Sequence, residues 1–238
     1  MKLDILAFGA HPDDVEISMG GTLLRYISEG KKVGIVDLTE GELGTRGTVK
    51  RRYAEAEAAS KFMSIETRMN LQMKDGFFQH NEENLFKIIE QIRRFKPEIV
   101  FANSISDRHP DHRKGAKLVA EAAYLSGLIK IKSTWQENTQ EAHRPRLVLH
   151  YIQDYLIPPT IVFDVSPFIN KKLDAIKCYK SQFYDPDSNE PSTPISGEDF
   201  FEFLKGRMKE FGRPMGVEYA EGFTSEKIIG VSDIFKLR

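Results

Sequence analysis

The chain predicts an α/β fold of Rossmann-like, doubly wound type: a largely parallel sheet with helices on both faces, in a single domain over residues 1–238. Three observations predict it. Short apolar, β-prone runs alternate with segments of helical periodicity from residue 3 to about residue 129, the pattern of successive βαβ units joined by right-handed crossovers. Two of those runs end in polar loops rich in His and Asp, where an open sheet binds its ligands. At 238 residues the chain can bury a sizeable core without a second domain.

The first apolar run, Leu3 to Phe8, ends in Gly9 and Ala10, and the residues from about Ser18 read as a helix opening over Gly20 and Gly21. His11-Pro12-Asp13-Asp14 is the loop between them. After a turn at Gly30-Lys31-Lys32, Val33 to Leu38 predicts a second strand that runs into a glycine-rich loop, 39–47, placed to face a ligand. Helical periodicity covers Val49 to Met63, where Arg52 has the spacing to pair with Glu55 on the helix surface. Thr67 to Leu71 predicts a third strand, with a loop through Gly76. Asn81 is placed to cap a helix over Glu82 to Phe95, whose stripe of Leu85, Ile88, Ile89 and Ile92 belongs to the core. Pro97 ends that helix. A fourth strand, Glu98 to Ala102, then leads through Asp107-Arg108-His109-Pro110-Asp111-His112 into a helical pattern over Lys114 to Leu125.

Beyond residue 130 the alternation loosens. The polar segment Ser133 to Pro145, with the single Trp135, reads as a surface excursion. Arg146 to Ile152 and Thr160 to Val165 predict two further strands, and His150 is read as a packed residue of the first. A helix is expected from about Pro167 to Phe183, then a loop over Tyr184 to Gly197, rich in Pro, Ser and Asp and placed to act as a lid. A helix over Glu198 to Phe211 and a last strand near Lys227 to Val231 complete the reading.

Composition excludes several classes. A formal net charge of -1, from 34 basic and 35 acidic residues, gives no electrostatic footprint for nucleic acid. Cys178 is the single cysteine, which leaves no intrachain disulfide framework and no thiolate zinc site and fits a reducing, cytoplasmic setting. The apolar run after Met1-Lys2 is too short for a signal peptide, and no stretch is apolar enough to span a membrane.

The His-Asp loops carry the chemistry. His11 and Asp14 are assigned to a divalent metal, since a neutral imidazole and a carboxylate both suit Zn²⁺, and Asp13 is left free. A catalytic zinc takes about three protein ligands and keeps an open position, so the third must come from the second motif, residues 107–112. Taken singly, a His-Pro-Asp is common and an Asp before a helix is usually a cap. Three of the six histidines, however, fall in these two loops with carboxylates interleaved, and that coincidence favours the metal.

On Ala10-His11-Pro12-Asp13-Asp14 and His109-Pro110-Asp111-His112, in that order and each after a strand, the chain resembles the PIG-L/LmbE family of zinc-dependent N-acetylglucosamine deacetylases. The resemblance extends through the glycine-rich segment, Ser181-Gln182-Phe183 and the run GVEYAEGF at 216–223, and so covers nearly the whole chain. It looks closest to the branch that removes acetyl from N-acetylglucosaminyl malate in bacillithiol biosynthesis. It implies that His11, Asp14 and His112 hold one zinc per chain, that Asp13 is the general base, and that His109 is a second catalytic group oriented by Asp111 and protonated to meet the oxyanion. It also implies a homo-oligomer, as in relatives that look hexameric. Fe²⁺ or Mn²⁺ suits the same donors. Malate would add two carboxylates, for which arginine is the fitting partner. Arg52 is chosen by resemblance, Arg108 because it adjoins the catalytic loop, and Arg46 as a third on the glycine-rich loop. The chain departs from members with a tyrosine two residues before the first His of the second motif, having Asp107 there.

Two competing readings stand beside this one. A hydrolase of another amide or of a phosphoester would use the same metal, although a phosphoesterase usually wants a two-metal clamp. A non-catalytic sugar- or nucleotide-binding module would not need Asp13 beside Asp14, and Gly9 to Gly21 lacks a dinucleotide fingerprint.

Overall fold

The computed structural model describes residues 1–236. Its seven-stranded sheet is built from β1 (Ile5–Gly9), β2 (Val33–Thr39), β3 (Thr67–Met73), β4 (Ile99–Ala102), β7 (Leu147–Tyr151), β8 (Ile161–Asp164) and β9 (Ala220–Thr224), with a small separate hairpin of β5 (Thr134–Trp135) and β6 (Asn138–Thr139) between β4 and β7. The strand order is β3-β2-β1-β4-β7-β9-β8, parallel through β7, with β9 antiparallel to both its neighbours. The chain winds outward from β1 to β3 and then returns to β4 on the other side of β1, so the order reverses between β1 and β4. A crevice opens at such a point, outside the carboxyl ends of the strands.

Alternating side chains of β1 divide the core. Leu6 and Phe8 pack with α3 (Glu82–Phe95) and α4 (Pro110–Leu125), while Ile5 and Ala7 pack on α1 (Asp14–Ser28). A further apolar layer joins α2 (Val49–Met63), α5 (Ile169–Ile176) and α6 (Phe200–Gly212) through Ala59, Ile176, Leu204 and Met208. Strands buried on both faces read as continuous apolar runs, which is why β1, β2 and β4 were legible. Asn81 caps α3 as its sequence predicts, accepting the Asn84 N–H at 3.0 Å. His150 is buried in β7, with Nδ1 2.9 Å from the Asn103 carbonyl oxygen. No helix among the described residues is long and apolar enough to cross a membrane.

Four expected boundaries differ. Helix α4 starts at Pro110 rather than near Lys114, because proline is preorganised for a first turn and its missing N–H costs nothing there. Helix α1 starts at Asp14 rather than near Ser18 and breaks at Met19, whose φ of -141° and ψ of 16° are not helical. Past the break, the Gly21 N–H donates to Glu221 Oε1 at 2.9 Å and the Thr22 N–H to Oε2 at 2.7 Å, so the sequence signal near Gly20 marks the second segment. The helix expected over 167–183 is a 3₁₀ turn, Ser166–Phe168, followed by α5, which stops at Ile176. Past it the backbone is held from outside the helix: the Ser181 N–H donates to Glu55 Oε1 at 2.8 Å. The last strand is Ala220–Thr224, and residues 227–231 form no regular structure. Ala, Glu and Gly are poor strand formers, so tertiary contacts place this strand.

The chief of those contacts is the Glu221 carboxylate. Fully buried, it caps the break in α1 and accepts from Lys172 Nζ at 2.6 Å. Glu221→Ala strands a buried ammonium and two helix amides, and breaking a buried pair in this way costs about 3–5 kcal/mol. An unfolding free energy from urea denaturation lowered by that amount, with a lower midpoint, is the expected result, and an unchanged midpoint would refute it.

Candidate metal centre and active-site cavity

The crevice between β1 and β4 holds a cavity of about 390 Å³ lined by His11, Asp13, Asp14, His109 and His112. Asp14, in the first turn of α1, is its hub. Oδ2 accepts the His11 N–H at 2.9 Å and Asn103 Nδ2 at 3.0 Å, and Oδ1 accepts Gln153 Nε2 at 3.0 Å. His112 Nε2 lies 3.1 Å from Oδ1 and His11 Nδ1 3.6 Å from Oδ2. Donors on a tetrahedral ion with bonds of about 2.0–2.2 Å are roughly 3.4 Å apart, and each imidazole lies near that distance from Asp14, one at each carboxylate oxygen.

The outer nitrogens of both rings are taken by other carboxylates. His112 Nδ1 is 2.8 Å from Asp107 Oδ1. His11 Nε2 is 3.0 Å from Asp75 Oδ1 and 3.7 Å from Asp111 Oδ2. A carboxylate behind a ligating imidazole fixes its tautomer and raises its basicity, so Asp75, Asp107 and Asp111 orient the donors. Two overlapping groups of donors have ligand atoms all within 4.8 Å of one another, His11 with His109 and His112, and His11 with Asp75 and Asp111. In the second, the His11 nitrogen facing the carboxylates is the one that orients the ring.

Electrostatics follow the burial. Desolvation depresses the His112 imidazole, but Asp14 and Asp107 reverse this and raise its pKa to about 9. Burial pushes Asp14 up, while His112 and His11 hold it well below the usual carboxylate range. For Asp13 burial wins over the Arg52 guanidinium, and its pKa rises to about 7. Asp13 also has φ 113° and ψ -27°, a conformation that costs an L residue on the order of 1–3 kcal/mol. The backbone is therefore strained at a buried carboxylate beside the cluster around Asp14.

The second motif meets its expectations in part. His109 lines the cavity, with its ring centroid 4.6 Å from that of His11. Burial, reinforced by His11 and His112, lowers its pKa, which opposes the imidazolium expected from the sequence. Its Nδ1 accepts the Asp111 N–H at 3.3 Å, which leaves Nε2 to carry the proton. The Asp111 carboxylate does not orient His109. It accepts the Gly76 N–H at 2.6 Å and Lys114 Nζ at 2.9 Å and faces His11. Asp107, where some relatives have a tyrosine, binds His112 and accepts the Asp154 and Tyr155 N–H groups at 2.7 and 3.1 Å.

The three arginines separate. Arg52 does not pair with Glu55, which takes Arg51. Its Nη2 instead lies 3.2 Å from Asp13 Oδ2 and from the Pro12 carbonyl oxygen, and Nη1 donates to the Gly41 carbonyl at 3.2 Å. Gly41 permits this approach, since a Cβ there would lie 1.9 Å from Nη1. Arg108 lines the cavity and pairs with Asp154 at 3.0 Å. Arg46 is absent from the cavity lining. It joins the glycine-rich loop to the 184–197 loop, donating to Ser188 Oγ at 2.9 Å with Glu190 Oε2 at 3.8 Å from Nε. That second loop brings Thr193, Pro194 and Ile195 to the cavity.

Sequence reasoning missed Asp75, Asn103, Gln153 and Arg207. The first three follow the carboxyl ends of β3, β4 and β7, and that position was the available signal. Arg207, on an amphipathic helix, carried none.

A buried cluster of histidines and carboxylates lining a cavity at the switch point of a doubly wound sheet suits a metal-dependent hydrolase. The comparisons narrow the class. The chain belongs to the PIG-L family, GlcNAc-PI de-N-acetylase, whose model matches residues 6–123, and it is a deacetylase. It is similar to diacetylchitobiose deacetylase of Thermococcus kodakarensis, 27% identical over 232 residues, 92% of this chain and 81% of that one. It is similar also to a probable N-acetyl-alpha-D-glucosaminyl L-malate deacetylase 2 of Bacillus anthracis, 24% identical over 192 residues, 75% of this chain and 81% of that one. Among solved structures, a conserved protein from Thermus thermophilus superposes with a TM-score of 0.85 at 34% identity, covering 97% of this chain and 98% of that one.

Two outcomes test the division of labour. Asp13→Asn is expected to keep its metal and lose about 10²- to 10⁴-fold in rate, whereas Asp107→Asn should weaken metal binding by about 10- to 100-fold. Metal content and kcat measured on both variants check this, and a metal-free Asp13→Asn would reverse the roles. The metal must also displace a proton from His112, whose metal-free pKa is about 9. Affinity should therefore rise with pH up to about that value, with proton release on binding; titration of metal into apoprotein at several pH values reads it, and a flat profile would count against His112 as a ligand.

Proposed function

We propose that this protein hydrolyses the N-acetyl group of an N-acetylglucosamine conjugate whose aglycone is malate, releasing acetate and the free amine. The observation that carries the reaction is Asp13: buried, facing the cavity, held 3.2 Å from Arg52, and free of the three-donor cluster beside it. His11, Asp14 and His112 would hold the metal, with zinc as the proposed ion and Fe²⁺ or Mn²⁺ compatible with the same donors. When bound, such an ion lowers the pKa of water to about 7 and polarises a carbonyl.

The protein's own groups do the rest. Asp13 takes the proton of the attacking water, and its raised pKa makes it a stronger base than an ordinary carboxylate. Arg52 keeps that carboxylate aimed through Nη2. His109, with its proton on Nε2, is placed to donate a hydrogen bond to the oxyanion as the carbonyl carbon becomes tetrahedral. The proton on Asp13 then passes to the nitrogen, the C–N bond breaks and acetate remains. For the aglycone, Arg108 stands at the cavity with only its Nε engaged by protein, and the Bacillus anthracis relative bears the name of a malate-conjugate deacetylase.

Acetate released from N-acetylglucosaminyl malate, lost on chelation and restored by Zn²⁺, is the primary expected result; full activity in verified metal-free protein would overturn it. Arg108→Ala should lower the preference for the malyl substrate over a neutral N-acetylglucosaminide by about tenfold or more, since a charge-assisted hydrogen bond contributes about 1.5–3 kcal/mol. Arg52→Ala should lower kcat on both alike, because it serves Asp13. Equal losses from Arg108→Ala on the two substrates would remove the case for malate.

A further inference from the structure

Helix α6 forms one wall of the cavity, and what it presents is apolar, with Phe200, Phe203, Leu204, Met208 and Phe211 lining the space. Arg207 is the exception, the one charged α6 residue on that wall, and it also lines the adjoining cleft beside Tyr155 and Leu156. Its guanidinium lies over the Phe203 ring, 4.8 Å from the centroid. Among the described residues it makes one side-chain hydrogen bond, from Nη2 to the Asp154 carbonyl oxygen, and Nε and Nη1 have no partner.

Asp154 therefore holds two guanidiniums, Arg207 by its carbonyl and Arg108 by its carboxylate at 3.0 Å. Asp107 and Glu210 also act on Arg207, but neither takes the N–H groups that the two guanidiniums leave open beside apolar walls, which strengthen any ion pair formed there. Asp154 is itself pinned, its N–H donating to Asp107 at 2.7 Å, and Asp107 is the carboxylate behind His112. A fixed chain of contacts thus sets the distance from these arginines to the metal ligands. Arg52, by contrast, spends its hydrogen bonds on Asp13, Pro12 and Gly41.

Resting on the proposed deacetylase reading, we propose that Arg207 is a specificity-determining residue which, with Arg108, holds the carboxylates of a dianionic aglycone across Asp154. Planar guanidiniums suit this task because each offers paired N–H groups to a carboxylate. A purely structural Arg207 would need only the one bond to the Asp154 carbonyl.

The test uses zinc-loaded enzyme with malyl N-acetylglucosaminide and its neutral methyl counterpart. Arg207→Ala should lower the malyl-over-methyl ratio of kcat/KM by about tenfold or more, mainly through KM, and Arg207→Lys should recover part of it. Free malate should competitively inhibit hydrolysis of the methyl substrate, and more weakly in Arg207→Ala; this second measurement holds if turnover of the malyl substrate is too slow to compare. An unchanged ratio, or inhibition by malate that Arg207→Ala leaves intact, would overturn the role of Arg207 and leave the malate reading standing. Hydrolysis of the methyl substrate with none of the malyl one by the unsubstituted enzyme would overturn both. No hydrolysis of either would overturn the deacetylase reading itself.

Discussion

The Asp14 carboxylate is the constraint on which this molecule turns. It is buried and charged, so water cannot stabilise it and the protein must. The stabilisation comes from the His11 amide beyond β1, Asn103 beyond β4, Gln153 beyond β7 and the ring of His112 on α4. Strands distant in sequence are thereby registered at one atom pair. The same arrangement leaves donors facing one another at metal-binding distances, so the requirement that stabilises the fold also shapes the centre.

Around that hub the protein separates two carboxylates that are neighbours in sequence. Asp14 receives hydrogen bonds and the charges of two imidazoles, and it stays ionised. Asp13 receives one arginine, which does not offset its burial, and its affinity for protons rises. Pushing the pKa values of adjacent acids apart lets one loop carry two carboxylates in different protonation states, as the proposed division between ligand and base requires. The left-handed backbone at Asp13 accompanies a side chain that meets Arg52 rather than capping α1.

Much of this was legible because the central strands are buried on both faces and write uninterrupted apolar runs, and because His and Asp clusters at their ends stand out against that background. The bounds expected for α2 and α3 agree with the structure. Where the reading failed, tertiary contacts had overridden local pattern. Residues 227–231 look like a strand by composition, but the slot between β7 and β8 is taken by Ala220–Thr224, whose Glu221 reaches a buried lysine. Arg52 has a helix partner at the right spacing, yet Gly41 opens a path to Asp13 that no spacing rule contains. The carboxylates on the outer nitrogens of His11 and His112 come from residues 75, 107 and 111, and only the folded sheet brings Asp75 to them.

The break in α1 gives the molecule an order of assembly. The first segment of that helix carries Asp14, and the second begins where Gly21 and Thr22 donate to Glu221, some 200 residues later. The amino-terminal strands can pair before β9 exists, yet the helix that carries Asp14 lacks this anchor until β9 is in place, so the geometry around Asp14 depends on a strand distant from it in sequence.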